Sequence, residues 1–135
     1  MSDRHLDRLF QRFRARGDAS ALAELYDEVA PELLRISRHL VRDAVEAEDV
    51  LQSTFLAAIE AADSYDETRR VLPWLVGILA RQAGLARRKR RREIEPDRIV
   101  RRPELDPSTR AAEAEFSIDL ERALHELPER YREVL

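Results

Sequence analysis

The chain has 135 residues, 44% apolar and 38% charged, which supplies enough apolar side chain for a packed core and argues against disorder. Aromatics make up only 6%, with three glycines and six prolines, so helices packed on Leu and Ala are favoured over a sandwich or barrel. The lack of cysteine excludes disulfides, thiolate metal sites and cysteine nucleophiles; with no signal-peptide core and no membrane-length apolar run, the chain is expected in the cytoplasm, without membrane insertion.

Leu6, Leu9, Phe10 and Phe13 follow a helical period, predicting a short amphipathic helix over about 3–16. Gly17 stops it and Asp18 can cap the next helix. Residues 19–42 place Leu22, Leu25, Tyr26, Val29, Leu33, Ile36 and Leu40 at helical spacing, but Pro31 lacks an N–H, so a kink or two helices are expected. Asp43 with Glu46 three residues later matches the pattern of a capping box.

In the helix that follows, Ala47, Val50, Leu51, Thr54, Phe55, Ala58, Ile59 and Ala62 form one buried stripe. Its other face carries Glu48, Asp49, Gln52, Ser53, Leu56 and Glu60. Residues 63–70 read as a polar loop whose one large apolar group is Tyr65. Pro73 suits a helix start; Trp74, Leu75, Ile78, Leu79 and Leu85 then supply a buried stripe running to about Arg92. Residues 93–112, with Pro96, Pro103 and Pro107 among charges, read as a linker. Phe116, Leu120, Leu124 and Leu127 begin another amphipathic helix, interrupted by Pro128. The expected fold is all-α: a compact helical bundle over 1–92, a linker over 93–112, and the first helix or helices of an incomplete second helical domain over 113–135.

Charge is segregated. Eight acids and no Lys or Arg lie between Asp43 and Glu67, whereas nine bases and no acid lie between Arg69 and Arg92. Adjacent single-sign blocks suggest two different partners, the alternative being two solvated faces that attract each other. Enzymatic readings find no support. His5, His39 and His125 are isolated, no Gly-rich phosphate loop exists, and Glu48–Asp49 on an exposed helix face suits contact better than acid–base work. No cofactor or metal is expected.

Gly77, Arg81, Gly84, Arg88 and Arg91 follow steps of four, three, four and three, so they share one helix face. Such a face lets a backbone approach closely while guanidinium groups hold phosphates. The competing reading is that the glycines serve helix packing and that Arg87–Arg92 suit the C-terminal dipole. Tyr65 and Trp74 frame the start of this helix and could stack on unpaired bases, although Trp74 also fits the apolar stripe. Leu56, ringed by Glu48, Asp49, Gln52 and Ser53, could be the apolar centre of a polar-rimmed contact.

These residues carry a resemblance. Leu25-Tyr26 through Pro31, then Glu46-Ala47-Glu48-Asp49-Val50-Leu51-Gln52-Ser53-Thr54-Phe55-Leu56, then Pro73-Trp74-Leu75 and Ile78-Leu79-Ala80-Arg81, resemble the second conserved region of bacterial sigma factors of the extracytoplasmic-function group, over about 20–92. Leu124-His125-Glu126-Leu127-Pro128 and the residues to Leu135 look like the opening of that family's fourth region, its helix-turn-helix lying outside the chain.

The resemblance implies that Glu48, Asp49, Gln52, Ser53 and Leu56 dock on the clamp helices of the largest subunit of core RNA polymerase. It also implies that 63–72 and the following helix melt the minus-ten promoter element and hold its non-template single strand. Tyr65 would then be a pocket wall, with Arg69, Arg70, Trp74, Arg81, Arg87, Arg88 and Arg91 as further DNA-binding candidates. An anti-sigma factor is a family expectation. The family often has Asn at Gln82, Asp at Ala86 and Trp at Ile59, the last replacement being expected to preserve core packing. The alternative is a helical regulator that engages polymerase or an anti-sigma factor without gripping DNA.

Overall fold

The computed structural model describes residues 3–94 and 107–128. They form five α-helices: α1 (Asp3–Arg16), α2 (Ala19–Leu40), α3 (Ala44–Glu60), α4 (Val71–Ile94) and α5 (Pro107–His125), with a 3-10 turn over Ala62–Ser64. No strand occurs among the described residues, and the all-α expectation holds.

The boundaries follow local chemistry. Gly17 takes the left-handed conformation at φ +64°, which costs glycine nothing, and its N–H closes the end of α1 on the Phe13 carbonyl at 2.8 Å. Asp18 then caps α2 by accepting from the Ala21 N–H at 3.2 Å. Asp43 caps α3 by accepting from the Glu46 N–H at 2.7 Å. Each cap satisfies a donor that the first helical turn cannot.

α2 is the spine of the bundle. Its buried residues Ala21, Leu25, Val29, Leu33, Ile36 and Leu40 meet α1, α3, α4 and α5. Leu9 and Phe10 of α1, Val50, Leu51 and Phe55 of α3, and Val71, Leu75 and Leu79 of α4 complete the core. Each such side chain, once buried, contributes about 1.5–3 kcal/mol. Two buried hydroxyls are also satisfied, Ser37 donating to the Ala47 carbonyl at 2.9 Å and Thr54 to the Val50 carbonyl at 2.7 Å. The Ser37 bond ties α2 to α3 inside the core.

Several expectations are corrected. Of the two alternatives at Pro31, α2 is a single helix rather than two; the proline is exposed and the buried stripe runs past it on both sides, so packing outweighs the missing hydrogen bond. Ile59 is 41% exposed and does not fill the core. It lies at the edge of the α3 stripe, beside Leu56 one turn earlier, where no other helix among the described residues covers it. Leu85 is likewise exposed. α5 begins at Pro107, inside the segment expected to be linker. The linker expectation for 95–106, and the fourth-region match over 129–135, fall outside the described residues.

Candidate interaction surfaces

The acidic surface is the outer face of α3. Glu48, Asp49 and Gln52 are exposed, Ser53 is half-buried, and Leu56 is 61% exposed. The stripe on the opposite face fixes this orientation: burying Val50, Leu51, Thr54 and Phe55 leaves the positions between them outside. Gln52 is held by a hydrogen bond from Nε2 to the Tyr26 hydroxyl at 2.9 Å, and the Tyr26 ring packs edge-on against Phe55 at 4.8 Å. Glu48 and Asp49 make no ion pair among the described residues, so their charge faces outward unspent. Ile59 extends the apolar patch around Leu56 by one turn, which the sequence pattern had assigned to the core.

The basic surface is the outer face of α4. Gly77, Arg81 and Arg88 are exposed, and Arg91 is half-buried. A methyl group at Gly77 would meet nothing within 4 Å, so packing inside the molecule does not require that glycine. Gly84 differs: its nearest neighbours would be Arg88 Nη2 at 3.9 Å and Phe116 of α5 at 4.0 Å. Arg88 donates from Nε to the Gly84 carbonyl at 3.4 Å. Arg81 makes no ion pair among the described residues.

Arg87 is not a free phosphate ligand. Its Nη1 meets Asp119 Oδ2 at 3.1 Å and the Leu40 carbonyl at 3.3 Å, and its guanidinium lies 5.0 Å from the Phe116 ring centroid. α5 therefore flanks the basic face, and Glu113, Phe116 and Asp119 share a groove with Arg81, Gly84, Arg88 and Arg91. Arg90 also points inward, bonding Glu46 at 2.8 Å and lying 3.9 Å from Asp43. It clips the basic helix to the start of the acidic one.

Between the two surfaces runs the segment 61–70. Asp66 organises its second half, accepting from the Thr68 N–H at 2.9 Å and hydroxyl at 2.7 Å. These bonds hold the Asp66 carboxyl below its usual range. Arg69 lies 3.9 Å from Asp66, and Arg70 pairs with Asp7 at 3.3 Å.

Tyr65 is the main correction within the site. It is only 4% exposed, so it cannot present a wall to an incoming base. Its ring meets Phe10 edge-on at 5.2 Å and Trp74 at 4.8 Å, and Arg14 lies over it at 5.4 Å. Its hydroxyl donates to the Arg69 carbonyl. Burial, with Asp7 nearby, pushes the phenol up to about 12. Trp74 is half-buried, packed on Phe10 at 5.3 Å as well as on Tyr65; its place in the apolar stripe accounts for it.

Sequence reasoning missed Asp7, Arg14, Arg90 and Asp119. All four act through partners more than 30 positions away, and periodicity carries no information about such pairings.

Similarity to known proteins coincides with these surfaces. Over 81 residues the chain is 37% identical to the RNA polymerase sigma factor CarQ of Myxococcus xanthus, covering 60% of this chain and 46% of that protein. Over 78 residues it is 31% identical to the RNA polymerase sigma factor NccH of Alcaligenes xylosoxydans xylosoxydans, covering 58% and 42%. The chain thus spans less than half the length of either relative. Residues 25–93, just over half of the chain and the stretch that holds both charged faces, match the model for Sigma-70 region 2, and the chain belongs to that family.

Proposed function

We propose that this chain is the polymerase-engaging and promoter-opening part of an RNA polymerase sigma factor. The observation that carries the reading is the pairing of two outward faces within the matched region. α3 presents Glu48, Asp49 and Gln52 around an exposed Leu56, and α4 presents Gly77, Arg81 and Arg88.

In this reading the α3 face, with Ser53 at its margin, docks on the clamp helices of core RNA polymerase. A small apolar centre inside a polar rim is the anatomy of a specific contact, and a few such residues carry most of the binding energy. The α4 face holds the phosphates of the minus-ten non-template strand through Arg81, Arg88 and Arg91, with Arg69 and Arg70 on the adjoining segment. Guanidinium groups suit phosphate because their planar fork matches two oxygens at once. Residues 63–72 would take up an unstacked base. Extruding a base costs a few kcal/mol, which capture and phosphate contacts can offset without a nucleotide cofactor.

Two paired substitutions test the reading. Asp49→Lys with Leu56→Ala is expected to weaken association with core polymerase by about tenfold or more, as loss of a contact centre does; unchanged affinity overturns the docking assignment. Arg81→Glu with Arg88→Glu is expected to abolish open-complex formation while leaving polymerase affinity nearly intact. Transcription that survives the second pair favours the other reading, a helical regulator that binds polymerase or an anti-sigma factor without gripping DNA.

A further inference from the structure

α1 lies outside the Sigma-70 region 2 match, which begins at residue 25, yet one of its faces touches segment 61–70 from end to end. Asp7, Phe10 and Arg14 follow steps of three and four, so they point the same way. Arg14 donates from Nε to the Ala62 carbonyl at 2.6 Å, where the segment begins. Its Nη1 meets Glu67 Oε1 at 3.1 Å, midway along. Asp7 Oδ2 meets Arg70 at 3.3 Å, and Asp7 Oδ1 accepts from the Val71 N–H at 2.8 Å, where the segment becomes α4. Between these two residues, Phe10 is fully buried against Tyr65 and Trp74.

The chemistry of these contacts is that of a clamp. The Arg14 side chain is only 15% exposed, so its charge-assisted bonds are screened less than surface pairs. The Val71 N–H is a first-turn donor of α4 with no partner inside its own helix. Asp7 supplies that partner from another helix and puts a negative charge at the positive end of the α4 dipole. A segment of exposed polar residues has few apolar contacts of its own to hold it. Here the holding groups come from α1, at the start, middle and end.

We infer that α1 is a positioning element for promoter capture: Asp7 and Arg14 set the shape of segment 61–70 before DNA arrives. Neither residue touches the nucleic acid. They lower the ordering cost of binding by holding the segment in its receptive form in advance. This inference rests on the proposed capture of a base by 63–72, and the experiment separates failure of the one from failure of the other.

The experiment uses the full chain and the single-stranded oligonucleotide that it selects from a randomised pool, with affinity read by anisotropy. Glu67→Arg is expected to lower affinity about tenfold, the effect of losing one charge-assisted hydrogen bond, and Arg14→Glu, which also loses the bond to the Ala62 carbonyl, by more. Combining them restores the ion pair with reversed sense but not the bond to the Ala62 carbonyl, so the double variant is expected to bind more tightly than Arg14→Glu alone and less tightly than the unsubstituted chain. Asp7→Asn, which keeps an acceptor for the Val71 N–H but drops the Arg70 pairing, is expected to lower affinity less than Asp7→Ala. Core-polymerase affinity is expected to be unchanged throughout, a split that general destabilisation would not give. Trp74, the one tryptophan in the sequence, reports by its fluorescence whether each variant keeps its aromatic cluster. DNA affinity unaffected by all four single substitutions, alongside a loss with Arg81→Glu, overturns the positioning role and leaves the DNA reading standing. Affinity unaffected by Arg81→Glu and Arg88→Glu as well overturns both.

Discussion

Asp119 of α5 reaches the basic helix and takes Arg87 at 3.1 Å, in the middle of the block that the sequence offered to DNA. The pair is partly shielded, with the two side chains 22% and 29% exposed, and it is braced on one side by the Leu40 carbonyl and on another by the Phe116 ring. Arg87 thus uses both the edge and the face of its guanidinium on its own chain. Elsewhere α5 is seated on the bundle through Ala123 and Leu127, both buried, through His39, 2.7 Å from Glu126, and through Arg35, which donates to the Glu126 carbonyl. An acidic helix therefore lies along part of the basic surface and holds one of its cations.

Asp119→Asn is accordingly expected to raise affinity for single-stranded DNA. A partly exposed ion pair is worth up to about 1 kcal/mol, so the expected gain is about two- to fivefold at low salt. The salt dependence should steepen as well, since one more guanidinium becomes available to displace counterions. A titration of labelled oligonucleotide at two ionic strengths measures both. An affinity that falls or stays constant would show that Arg87 serves only to seat α5.

Tyr65 is expected to behave as a core residue in every assay. Tyr65→Phe keeps the stack on Phe10 and Trp74 and loses only the bond to the Arg69 carbonyl, a cost of about 1 kcal/mol. Tyr65→Ala leaves a cavity and should cost about 3 kcal/mol or more. The phenol also makes stability depend on alkali. With its pKa raised from 10.0 to about 12 by burial, the folded state prefers the neutral form more than the unfolded chain does. That contribution is complete below about pH 10 and is lost as the pH climbs toward 12. Denaturant melts from pH 9 to 12 should show a steeper decline for the unsubstituted chain than for Tyr65→Phe. If Tyr65→Phe keeps its fold but loses promoter opening, the burial seen here does not describe the working state.

The contrast between Tyr65 and Leu56 shows what sequence could and could not reveal. Leu56 was legible because a helical period places it opposite the centre of the α3 stripe. Asp18 and Asp43 were legible as caps for the same local reason. Tyr65 was not, because residues 63–70 have no period, and a ring there is buried or exposed according to what α1 brings to it. Ile59 and Leu85 sit at the edge or the end of a stripe, where burial depends on whether another helix covers that flank. The pairing of Arg87 was not legible because a block of like charge looks uniformly solvent-facing until the acidic partner, 32 positions on, is folded against it. Local chemistry predicted the helices and the α3 surface; which arginines remain available was decided by long-range packing.

Acid should weaken the α1–α2 junction. Asp18 has its carboxyl lowered from 3.8 to about 2 by the Ser20 hydroxyl, the Ala21 N–H and Arg12. A depressed carboxylate pKa gives stability that is present above the unfolded value and lost as the pH falls through the folded one. Between about pH 4 and pH 2 the cap is therefore released. Asp18→Ala is expected to lower the melting temperature at neutral pH and to flatten its dependence on pH across that window. Circular dichroism melts at pH 7, 4 and 2.5 test this; an equal loss in both proteins at low pH would remove Asp18 from the account.

Gly77 offers the sharpest separation between folding and function. It lies in the interior of α4, exposed, with nothing within 4 Å of where a methyl group would go. Glycine in that setting costs about 1 kcal/mol relative to alanine, and no close approach within the molecule calls for it. Gly77→Ala is therefore expected to raise stability by about that amount. If α4 receives the DNA backbone on this face, the same methyl group should lower single-strand affinity and open-complex formation, and Gly77→Leu should lower them further. A stabilised protein with weakened promoter opening would mean that the glycine is kept for the partner's approach. A stabilised protein with undiminished opening would move the DNA path toward Arg81 and Arg88 and away from the first turns of the helix.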